Sequence, residues 1–544
     1  MQTWGIHYLA LPALSYEESI IFVVTCAFLT HALYNRYEFD SVKVLPHLLL
    51  LFVLPLLPVY RLSPLHPLSS YPGPVLARVS KIWGALHASK GKDHLLFKRM
   101  HDKYGPYVRT GPNELSVLDV EVIPEILGTN GMPRGPQWDG RRKPGSTPSL
   151  ISTRSTREHA VRRKPWTRAF SPASVKEYEP FVQRRALQLA GELEKRSELG
   201  PIDLTEWFNY FAFDIMGDMA LGGGFELMRD GGDNEGIWTI LHTGLEKMAI
   251  LQHMPWLSRI LFQFSFGTES ATRMTEFCQE QARKRATRGS TRKDLFYHLL
   301  DEGGVEKVKP PFRYVMSDSM LALVAGSDTT SITLGGVFFY MLKNPGLYDR
   351  LRREVDSTFP LGEGEPFDSQ KLANMPFLNS VIFESLRLQP PVGSSLQRAP
   401  EPGSGGKIVA GRFLPEGTAI KIPPYALFRD LRYFSPAPES FLPDRWLLPT
   451  EDVQESETNV NFSTDVRAFI PFSVGPGSCA GKPLAILELR IVIATLMQKF
   501  EMQFAEGYDI SEWEEAKEDW FAMKNGRLPV TIRLRRLRKP EAGP

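Results

Sequence analysis

The stretch "PFSVGPGSCAGKPLA", residues 471–485, places one cysteine, Cys479, in a loop of glycines, prolines and small residues. Structural cysteines usually lie in apolar runs, where they behave as small hydrophobes. Here the flanking glycines let the backbone approach closely, and successive N–H groups in such a loop can point at the sulfur and lower its basicity. The positive end of a helix that begins near Lys482 acts in the same direction. The loop is therefore suited to present a thiolate.

Three chemistries are open to a cysteine in such a loop. Zinc binding is disfavoured, because no second cysteine or paired histidine lies at ligand spacing. Nucleophilic catalysis stays open, although the loop has no flanking histidine to act as its base. The apolar lip of the loop, from Phe469 to Phe472, suits a large apolar cofactor. The residues alone therefore favour a haem-thiolate site and leave the nucleophile as the alternative.

The composition is that of a globular protein with a large core. Of the 544 residues, 42% are hydrophobic and 23% are charged, and the net charge of +2 gives no reason to expect nucleic-acid binding. Cys26, Cys278 and Cys479 are too few and too far apart for a disulfide framework, which favours a reducing compartment for the folded part.

The N-terminal region differs from the rest of the chain. Residues 19–34 and 44–60 are apolar and contain no Lys, Arg, Asp or Glu, which predicts a membrane anchor of one or two spans. A secretory signal peptide and a buried soluble helix are the alternative interpretations. The predicted organisation is an anchor over residues 1–62, a stiff proline-rich linker over 63–75 and one catalytic domain over 76–544. We expect that domain to be mostly helical, with a β-hairpin at 107–119.

The stretch "LALVAGSDTTSITLGGVFFYML", residues 321–342, predicts a long apolar helix. Asp328 and Thr329 form part of a polar patch in its middle. A core helix with a tolerated polar patch is one interpretation. An acid beside hydroxyls in an apolar helix costs stability unless it is paired or functional, so a functional role is the other.

Three short motifs with charged residues accompany this helix. They are "REHAVRRKPWTRAFSP" (157–172), with His159 and Arg163 four residues apart, "NSVIFESLRLQPP" (379–391), with Glu384 and Arg387 three residues apart, and "FLPDRW" (441–446), with Arg445. Each pattern alone is also typical of a solvated helix or loop. Their order along the chain makes them informative.

Together these motifs resemble those of the cytochrome P450 family. "FSVGPGSCAG" is similar to the family's cysteine loop at Phe472, Gly475, Cys479 and Gly481. It departs from the family at Gly477, where an arginine usually contacts a haem propionate. The resemblance implies the cytochrome P450 fold, mainly α with small β-sheets, as a single large haem domain behind an N-terminal membrane anchor.

The resemblance also implies roles for residues on both sides of a haem b group. Cys479 would be the axial iron ligand, and its thiolate would favour O–O cleavage. Thr329 would hydrogen-bond dioxygen and Asp328 would relay protons, with a cleft at Ala325–Gly326 making room for oxygen. The remaining cofactor-binding residues implied are His159, Arg163, Arg398, Phe472 and Gly481, and the implied structural triad is Glu384, Arg387 and Arg445.

The implied activity is that of a haem-thiolate monooxygenase that oxidises an apolar small molecule with O2. No flavin or nicotinamide fingerprint is found in the chain, so electrons would come from NADPH through a separate flavoprotein reductase, with Lys482 and Arg490 as candidate docking residues. The chain looks like a membrane-anchored fungal member of secondary metabolism that tailors a terpenoid or similar natural product, in the endoplasmic reticulum with its catalytic domain facing the cytosol. Two alternatives are an oxygen-independent isomerase or dehydratase and a non-catalytic haem-binding protein.

By position in the family, the substrate pocket would be lined by apolar or small side chains. These are Leu321, Val324, Ala325, Val392, Ser394 and Phe521. A lining of this kind predicts an apolar substrate that is not strongly charged.

Overall fold

The computed structural model describes residues 56–447 and 461–536, apart from 224, 235, 266, 290, 291 and 395. The predicted anchor segment 19–34 and most of 44–60 lie outside the described residues. Among the described residues, one helix is long and apolar enough to cross a membrane, Phe312–Lys343. Because 78% of its most apolar window is buried within the protein, we assign it to the core.

The predicted fold class is confirmed, since helices dominate and the sheets are small. The α-helices, in chain order from α1 to α19, are Val75–Val79, Lys81–Ala88, Asp93–Tyr104, Ile123–Leu127, Thr156–Ala169, Pro172–Ser197, Leu204–Leu221, Leu227–Asp230, Ile237–Leu251, Pro255–Gln263, Glu269–Arg288, Leu295–Leu299, Phe312–Lys343, Pro345–Thr358, Ser369–Ala373, Pro376–Leu388, Pro424–Leu427, Lys482–Lys499 and Ser511–Glu515.

Short strands form small sheets at the edges of the helical body. The strands, from β1 to β12, are Tyr107–Gly111, Glu114–Val117, Ile202–Asp203, Gly406–Val409, Arg412–Pro415, Ala419–Lys421, Phe434–Ser435, Ser463–Thr464, Phe500–Phe504, Glu518–Trp520, Ala522–Lys524 and Pro529–Leu534. The predicted hairpin is confirmed: β1 pairs antiparallel with β2, and β6 joins β2 in parallel. The other sheets are β3–β12–β9, β4–β5, β7–β8 and β10–β11.

The predicted apolar helix 321–342 lies within α13, which spans Phe312–Lys343. From Thr330 to Leu342 every residue of α13 is buried, as expected for a helix that is apolar on all sides. It packs along α7 and also contacts α11, α16 and α18. The main hydrophobic core surrounds this group of helices, so α13 is the rigid element against which the site is built.

The helix α18, Lys482–Lys499, carries the other wall of the site. It begins directly after the cysteine loop with Pro483 in its first turn, a position that proline favours because its missing N–H would have no helical partner there. Most of α18 is buried, and it packs on α6 and α13. A second hydrophobic core joins the β1–β2–β6 sheet to the segment that precedes the loop, including Ala468 and Ile470.

The proline-rich segment 63–75, expected to be a stiff spacer, packs on the catalytic body instead. Leu68 and Tyr71 are buried in the second core, and the N–H of Arg109 in β1 donates to the carbonyl oxygen of Pro72 at 2.7 Å. The two apolar side chains give this segment a surface to bury, which the prolines alone did not suggest.

Candidate functional site

A cavity of about 560 Å³ lies between α13 on one side and the cysteine loop with the start of α18 on the other. Most of the predicted site residues line it. They are His159, Arg163, Leu321, Val324, Ala325, Thr329, Val392, Phe472, Cys479, Gly481 and Phe521. The structure therefore brings residues from five separate stretches of the chain to one enclosed space.

The cysteine loop is held in one conformation by its own backbone. The N–H of Cys479 donates to the carbonyl oxygen of Phe472 at 2.8 Å. Gly475 has a φ of +69°, and a Cβ at this position would collide with the carbonyl oxygen of Leu127. Glycine is required at 475 for both reasons. The side chain of Cys479 is left exposed toward the cavity.

The expectation that the N–H groups of the loop lower the basicity of Cys479 agrees with the structure in direction, but burial outweighs their effect. Burial raises the pKa of the thiol, while the N–H groups of Gly481 and Lys482 and the charge of Arg163 act in the opposite direction. Burial has the larger effect because an anion loses more solvation there than these groups return. A bound cationic metal would reverse this balance, since coordination deprotonates a thiol outright.

Gly477, where the family's arginine is missing, lies directly against Arg398. A Cβ at position 477 would come within 2.5 Å of the Arg398 Nη2 atom. The φ of Gly477 is not positive, so the conflict is one of space alone. The guanidinium of Arg398 thus occupies room that a side chain at 477 would need.

Arg134 is a candidate site residue that the sequence did not single out. It lines the cavity and pairs through its backbone with Arg398 in an isolated β-bridge. Both guanidinium groups are buried, and Nε and Nη1 of Arg134 and Nε and Nη2 of Arg398 have no hydrogen-bond partner among the described residues. Burial lowers the pKa of Arg134 well below its usual range and that of Arg398 to about 10. The "PRG" context of Arg134, in a loop without acidic neighbours, is the only signal in the sequence.

The helix α5 supplies two further polar groups. Arg163 lines the cavity, and its Nη1 donates to the carbonyl oxygen of Ser478 in the cysteine loop at 2.6 Å. His159 is half-buried, and burial together with the neighbouring arginines lowers its pKa to about 4. At pH 7 His159 is therefore a neutral hydrogen-bonding group and not a cation.

The structure also brings the predicted triad together. Nε and Nη2 of Arg387 donate to the two carboxylate oxygens of Glu384, at 2.8 Å each. The Nε of Arg445 lies 3.1 Å from Oε1 of the same carboxylate. Trp446 Nε1 and the N–H of Leu442 also donate to this carboxylate, at 2.8 Å each. Full burial of Glu384 and Arg387 is compatible with charge because the pair is satisfied on every side.

On the opposite wall, Thr329 faces the cavity, and its hydroxyl donates to the carbonyl oxygen of Ala325 at 2.8 Å. The expected cleft at Ala325–Gly326 has a different form. The helix is continuous there, and a Cβ at 326 would collide with Met216 Sδ, so this glycine allows close packing of α7. Ala325 is exposed toward the cavity and leaves free space beside Thr329.

Asp328 points to a different place from Thr329. It lines a second cavity, of about 140 Å³, whose walls include Glu206 and Lys524. Its Oδ1 lies 3.8 Å from Nε2 of His242. Burial raises the pKa of Asp328 to about 7 and lowers that of His242 to about 4, so near neutral pH the acid can hold or release a proton beside an uncharged imidazole.

Glu488 on α18 is a second buried acid that sequence reasoning missed. It lines the main cavity, and the hydroxyl of Thr330 donates to its Oε2 at 2.9 Å. Burial raises its pKa to about 8, so the carboxyl group is protonated at neutral pH. The one indication in the sequence was that Glu488 lies in the helix directly after the cysteine loop, nine residues from Cys479.

Ser394 is the one predicted pocket residue that does not line the cavity. Its hydroxyl points to Asp519 Oδ1 at 3.4 Å. Asp519 is buried at the β10–β11 hairpin and supplies an acceptor, which draws the polar side chain away from the apolar space.

The residues of the main cavity fit a haem group. An apolar space is bounded by an accessible thiol on one side, and Arg134 and Arg398 leave buried guanidinium N–H groups without protein partners. Such groups match the propionate carboxylates of haem, because a buried cation needs an anion nearby.

Comparison with known proteins agrees with this geometry. The sequence profile of the cytochrome P450 family matches residues 72–530. Cytochrome P450 67 of Uromyces fabae is 32% identical over 465 residues, 84% of each chain. The cytochrome P450 monooxygenase nodW of Hypoxylon pulicicidum is 35% identical over 454 residues, 83% of this chain and 80% of its own. Tryprostatin B 6-hydroxylase of Aspergillus fumigatus is 29% identical over 473 residues, 86% of this chain and 81% of its own.

A mostly helical fold with small sheets, and a cysteine loop facing a long central helix across a cavity, is the architecture of the haem-thiolate class. The chain belongs to the cytochrome P450 family. It is a monooxygenase, as its named fungal relatives are, and membership of the family implies a haem iron with thiolate ligation and electrons from a redox partner.

Proposed function

We propose that Cys479 is the axial ligand of haem b and that Arg134, Arg163 and Arg398 hold its propionates. The observation that carries this proposal is that the thiol faces the same cavity that Arg134 and Arg163 line. Arg398 is not among the lining residues, but it lies beside Arg134 and against Gly477 of the cysteine loop, with two buried guanidinium nitrogens unpaired among the described residues. His159, Phe472 and Gly481 complete the binding surface, His159 as a neutral hydrogen-bonding group and the other two through apolar contact. Glu384, Arg387 and Arg445 keep the loop in place from outside the cavity.

Haem, when bound, supplies the oxygen chemistry, and the chain positions substrate and moves protons. Thr329 presents its hydroxyl to the space beside Ala325. To donate a hydrogen bond to oxygen there, the hydroxyl would turn away from the Ala325 carbonyl oxygen to which it donates at 2.8 Å. Asp328 takes protons from the second cavity, because its carboxyl group faces that side and has a pKa of about 7.

The substrate is an apolar small molecule that enters above Leu321, Val324, Ala325, Val392 and Phe521. Named relatives support a role in the oxidation of natural products, since one is a tryprostatin B hydroxylase and others are fungal monooxygenases. Tailoring of a terpenoid or similar metabolite agrees with the apolar lining of the cavity.

The electron donor is an NADPH-dependent flavoprotein reductase that docks near the cysteine loop. Lys482 supports this, because it is exposed at the start of α18 and its ammonium lies 5.6 Å from the centre of the Phe472 ring. Arg490 is less suited to docking than we expected, since it is half-buried and its Nε donates to Asn379 Oδ1 at 2.8 Å.

Residues 1–62 anchor the protein to the endoplasmic reticulum membrane, with the catalytic domain of residues 76–544 in the cytosol. Large apolar side chains are exposed in the first described residues, among them Leu56, Val59, Leu65 and Leu76. Exposed apolar residues that follow a predicted anchor support contact with the lipid surface.

Turnover with a purified reductase tests the proposed activity. We expect oxygen- and NADPH-dependent product from a metabolite panel, and in Thr329→Ala we expect retained haem with most electrons diverted to peroxide. Thr329→Ser, which keeps the hydroxyl, is the matched control and should stay coupled. Turnover without oxygen would favour the isomerase or dehydratase alternative, and equal coupling in Thr329→Ala would remove the role assigned to this hydroxyl.

A further inference from the structure

Arg141 is a buried guanidinium in the cavity that has no carboxylate partner within the described part of the chain. Its guanidinium carbon lies 5.8 Å from the centre of the Trp138 ring, and that of Arg134 lies 5.6 Å from the same ring. Arg141 ends the 3-10 helix Pro136–Arg141, lines the cavity and is 8% exposed. Its position is fixed by the backbone, since Ser258 Oγ donates to the carbonyl oxygen of Gly140 at 2.7 Å. Its guanidinium carbon lies 4.3 Å from the centre of the Phe521 ring, above the predicted substrate space.

The partners of Arg141 are neutral. Its Nη1 donates to Gln252 Oε1 at 2.9 Å, and this oxygen also accepts from Gln137 Nε2 at 3.1 Å. Among the described residues, Arg141 has no ion pair within 4.0 Å, and its one side-chain hydrogen bond is that of Nη1 to Gln252. Burial lowers the pKa of Arg141 to about 10, while the more distant carboxylate of Asp519 acts to raise it. The side chain of Arg141 therefore remains charged at neutral pH.

Other buried arginines in this protein show which partner the Nε and Nη2 donors of a guanidinium group bind. Arg185, Arg285 and Arg387 each direct Nε and Nη2 at the two oxygens of one carboxylate, with distances of 2.8–3.0 Å. In Arg141 the same pair of donors is left to the cavity. A planar fork of this kind matches a carboxylate better than any other common group.

The acids of the cavity do not neutralise this charge. Glu488 is protonated at neutral pH, and Glu276 is exposed on the lining. Lys143 adds positive charge to the same wall, whereas Arg142 is paired with Asp139 at 3.1 Å. Besides Arg134 and Arg163, which are assigned to the haem, Arg141 is thus a buried cation on a lining that is apolar over most of its surface.

We propose that Arg141 binds a carboxylate of the substrate, so that the substrate of the proposed monooxygenase is a mainly apolar carboxylic acid. This inference rests on the proposed function, because it takes the cavity to be the substrate site. It replaces the expectation of an uncharged substrate. An acid held at Arg141 also fixes which part of the apolar skeleton lies beside Thr329.

The test uses dodecanoic acid and its methyl ester, a pair that differs in charge. Both are titrated into full-length haem-loaded protein while the shift of the haem Soret band is followed. We expect the wild type to bind the acid at least about tenfold more tightly than the ester, the effect of a charged hydrogen-bond pair. Arg141→Gln should abolish that preference and change ester binding less than about threefold, and Arg141→Lys should retain part of it.

Lys143→Gln is the matched control, because Lys143 is an exposed cation on the same cavity wall. A local carboxylate site predicts that this variant keeps the preference for the acid. Equal losses in Lys143→Gln and Arg141→Gln would overturn the proposal, as would a wild type that binds the acid no better than the ester or binds neither.

Two further measurements, of haem content and of thermal stability, distinguish a substrate carboxylate from a haem propionate and distinguish failure of this proposal from failure of the proposed activity. Arg141→Gln should keep full haem content. If this variant lost as much haem as Arg134→Gln, the partner of Arg141 would be a haem propionate and the proposal would be overturned. The rise in thermal unfolding midpoint with each probe should show the same preference for the acid. Because neither binding readout needs turnover, a protein that discriminates the acid but oxidises nothing contradicts the proposed activity alone.

Discussion

Two groups of buried arginines in this molecule differ in whether the protein itself supplies their anionic partner. Arg387 and Arg445 share the carboxylate of Glu384, and backbone carbonyl groups accept their remaining N–H donors except Nη1 of Arg445. Arg134 and Arg398 have no carboxylate partner among the described residues and leave four buried nitrogen atoms unpaired. The first group therefore has its counter-charge as soon as the chain folds. The second gains a counter-charge only when an anion binds.

The difference follows from the free energy of burying charge. An unpaired ion in a protein interior costs several kcal/mol, so a chain that buries two guanidinium groups without acids is less stable than it could be. That cost is offset when a dianionic cofactor binds, which couples haem binding to the stability of the folded protein. The comparison therefore assigns the Glu384 group to folding and the Arg134–Arg398 pair to the cofactor.

The largest expected effect is that of Glu384→Gln. Loss of this carboxylate leaves Arg387 and Arg445 buried without a counter-charge, and we expect the free energy of unfolding to fall by about 3–5 kcal/mol. Chemical denaturation should show the loss with and without haem. Glu121→Gln is the control, because Glu121 pairs with Arg467 through two exposed side chains and should cost less than about 1 kcal/mol. A small effect of Glu384→Gln would remove the distinction between the two groups.

The next effect is that of Arg134→Gln, which should separate haem retention from folding. We expect haem to dissociate at least about tenfold faster, since a charged hydrogen bond contributes about 1.5–3 kcal/mol. The haem-free protein should unfold no more easily than the wild type, because the variant removes an unpaired charge. Arg429→Gln, which removes a buried arginine with its own carboxylate, should instead destabilise both forms equally. Destabilisation of the haem-free form by Arg134→Gln would contradict this account.

A smaller effect is expected from Gly477→Arg, which restores the family's usual residue. Because Arg398 Nη2 already occupies the space beside Cα of Gly477, the new side chain should lower haem content and cost about 1–3 kcal/mol of stability through overpacking. Arg398→Ala should relieve this loss when combined with Gly477→Arg. If Gly477→Arg alone tightens haem retention, Arg398 does not replace the missing arginine.

The sequence was sufficient for features that depend on local pattern or on a motif. The helix within Phe312–Lys343 follows from a run of apolar residues, and the hairpin at 107–119 follows from two extended segments around Gly-Pro-Asn. The different directions of Asp328 and Thr329 could also be predicted, since adjacent helical residues point about 100° apart.

Other features depend on contacts between distant parts of the chain. Arg134 and Arg398 lie far apart in sequence, and only the β-bridge places them together beside Gly477. Arg141 has no motif, and its unpaired edge is visible only once Gln252 and Phe521 are in place. The direction of Ser394 depends on Asp519, a buried acid from the other end of the domain. Electrostatic partners of this kind are set by tertiary packing and leave no periodic signal.

The spectrum of the reduced protein with carbon monoxide tests the assignment of Cys479 most directly. The account predicts a Soret band shifted to the red, as thiolate ligation produces, in the wild type and in Cys278→Ala, whose thiol is buried in the core. Cys479→Ala should lose this band. A wild-type band typical of histidine ligation, or a red-shifted band that persists in Cys479→Ala, would contradict the account.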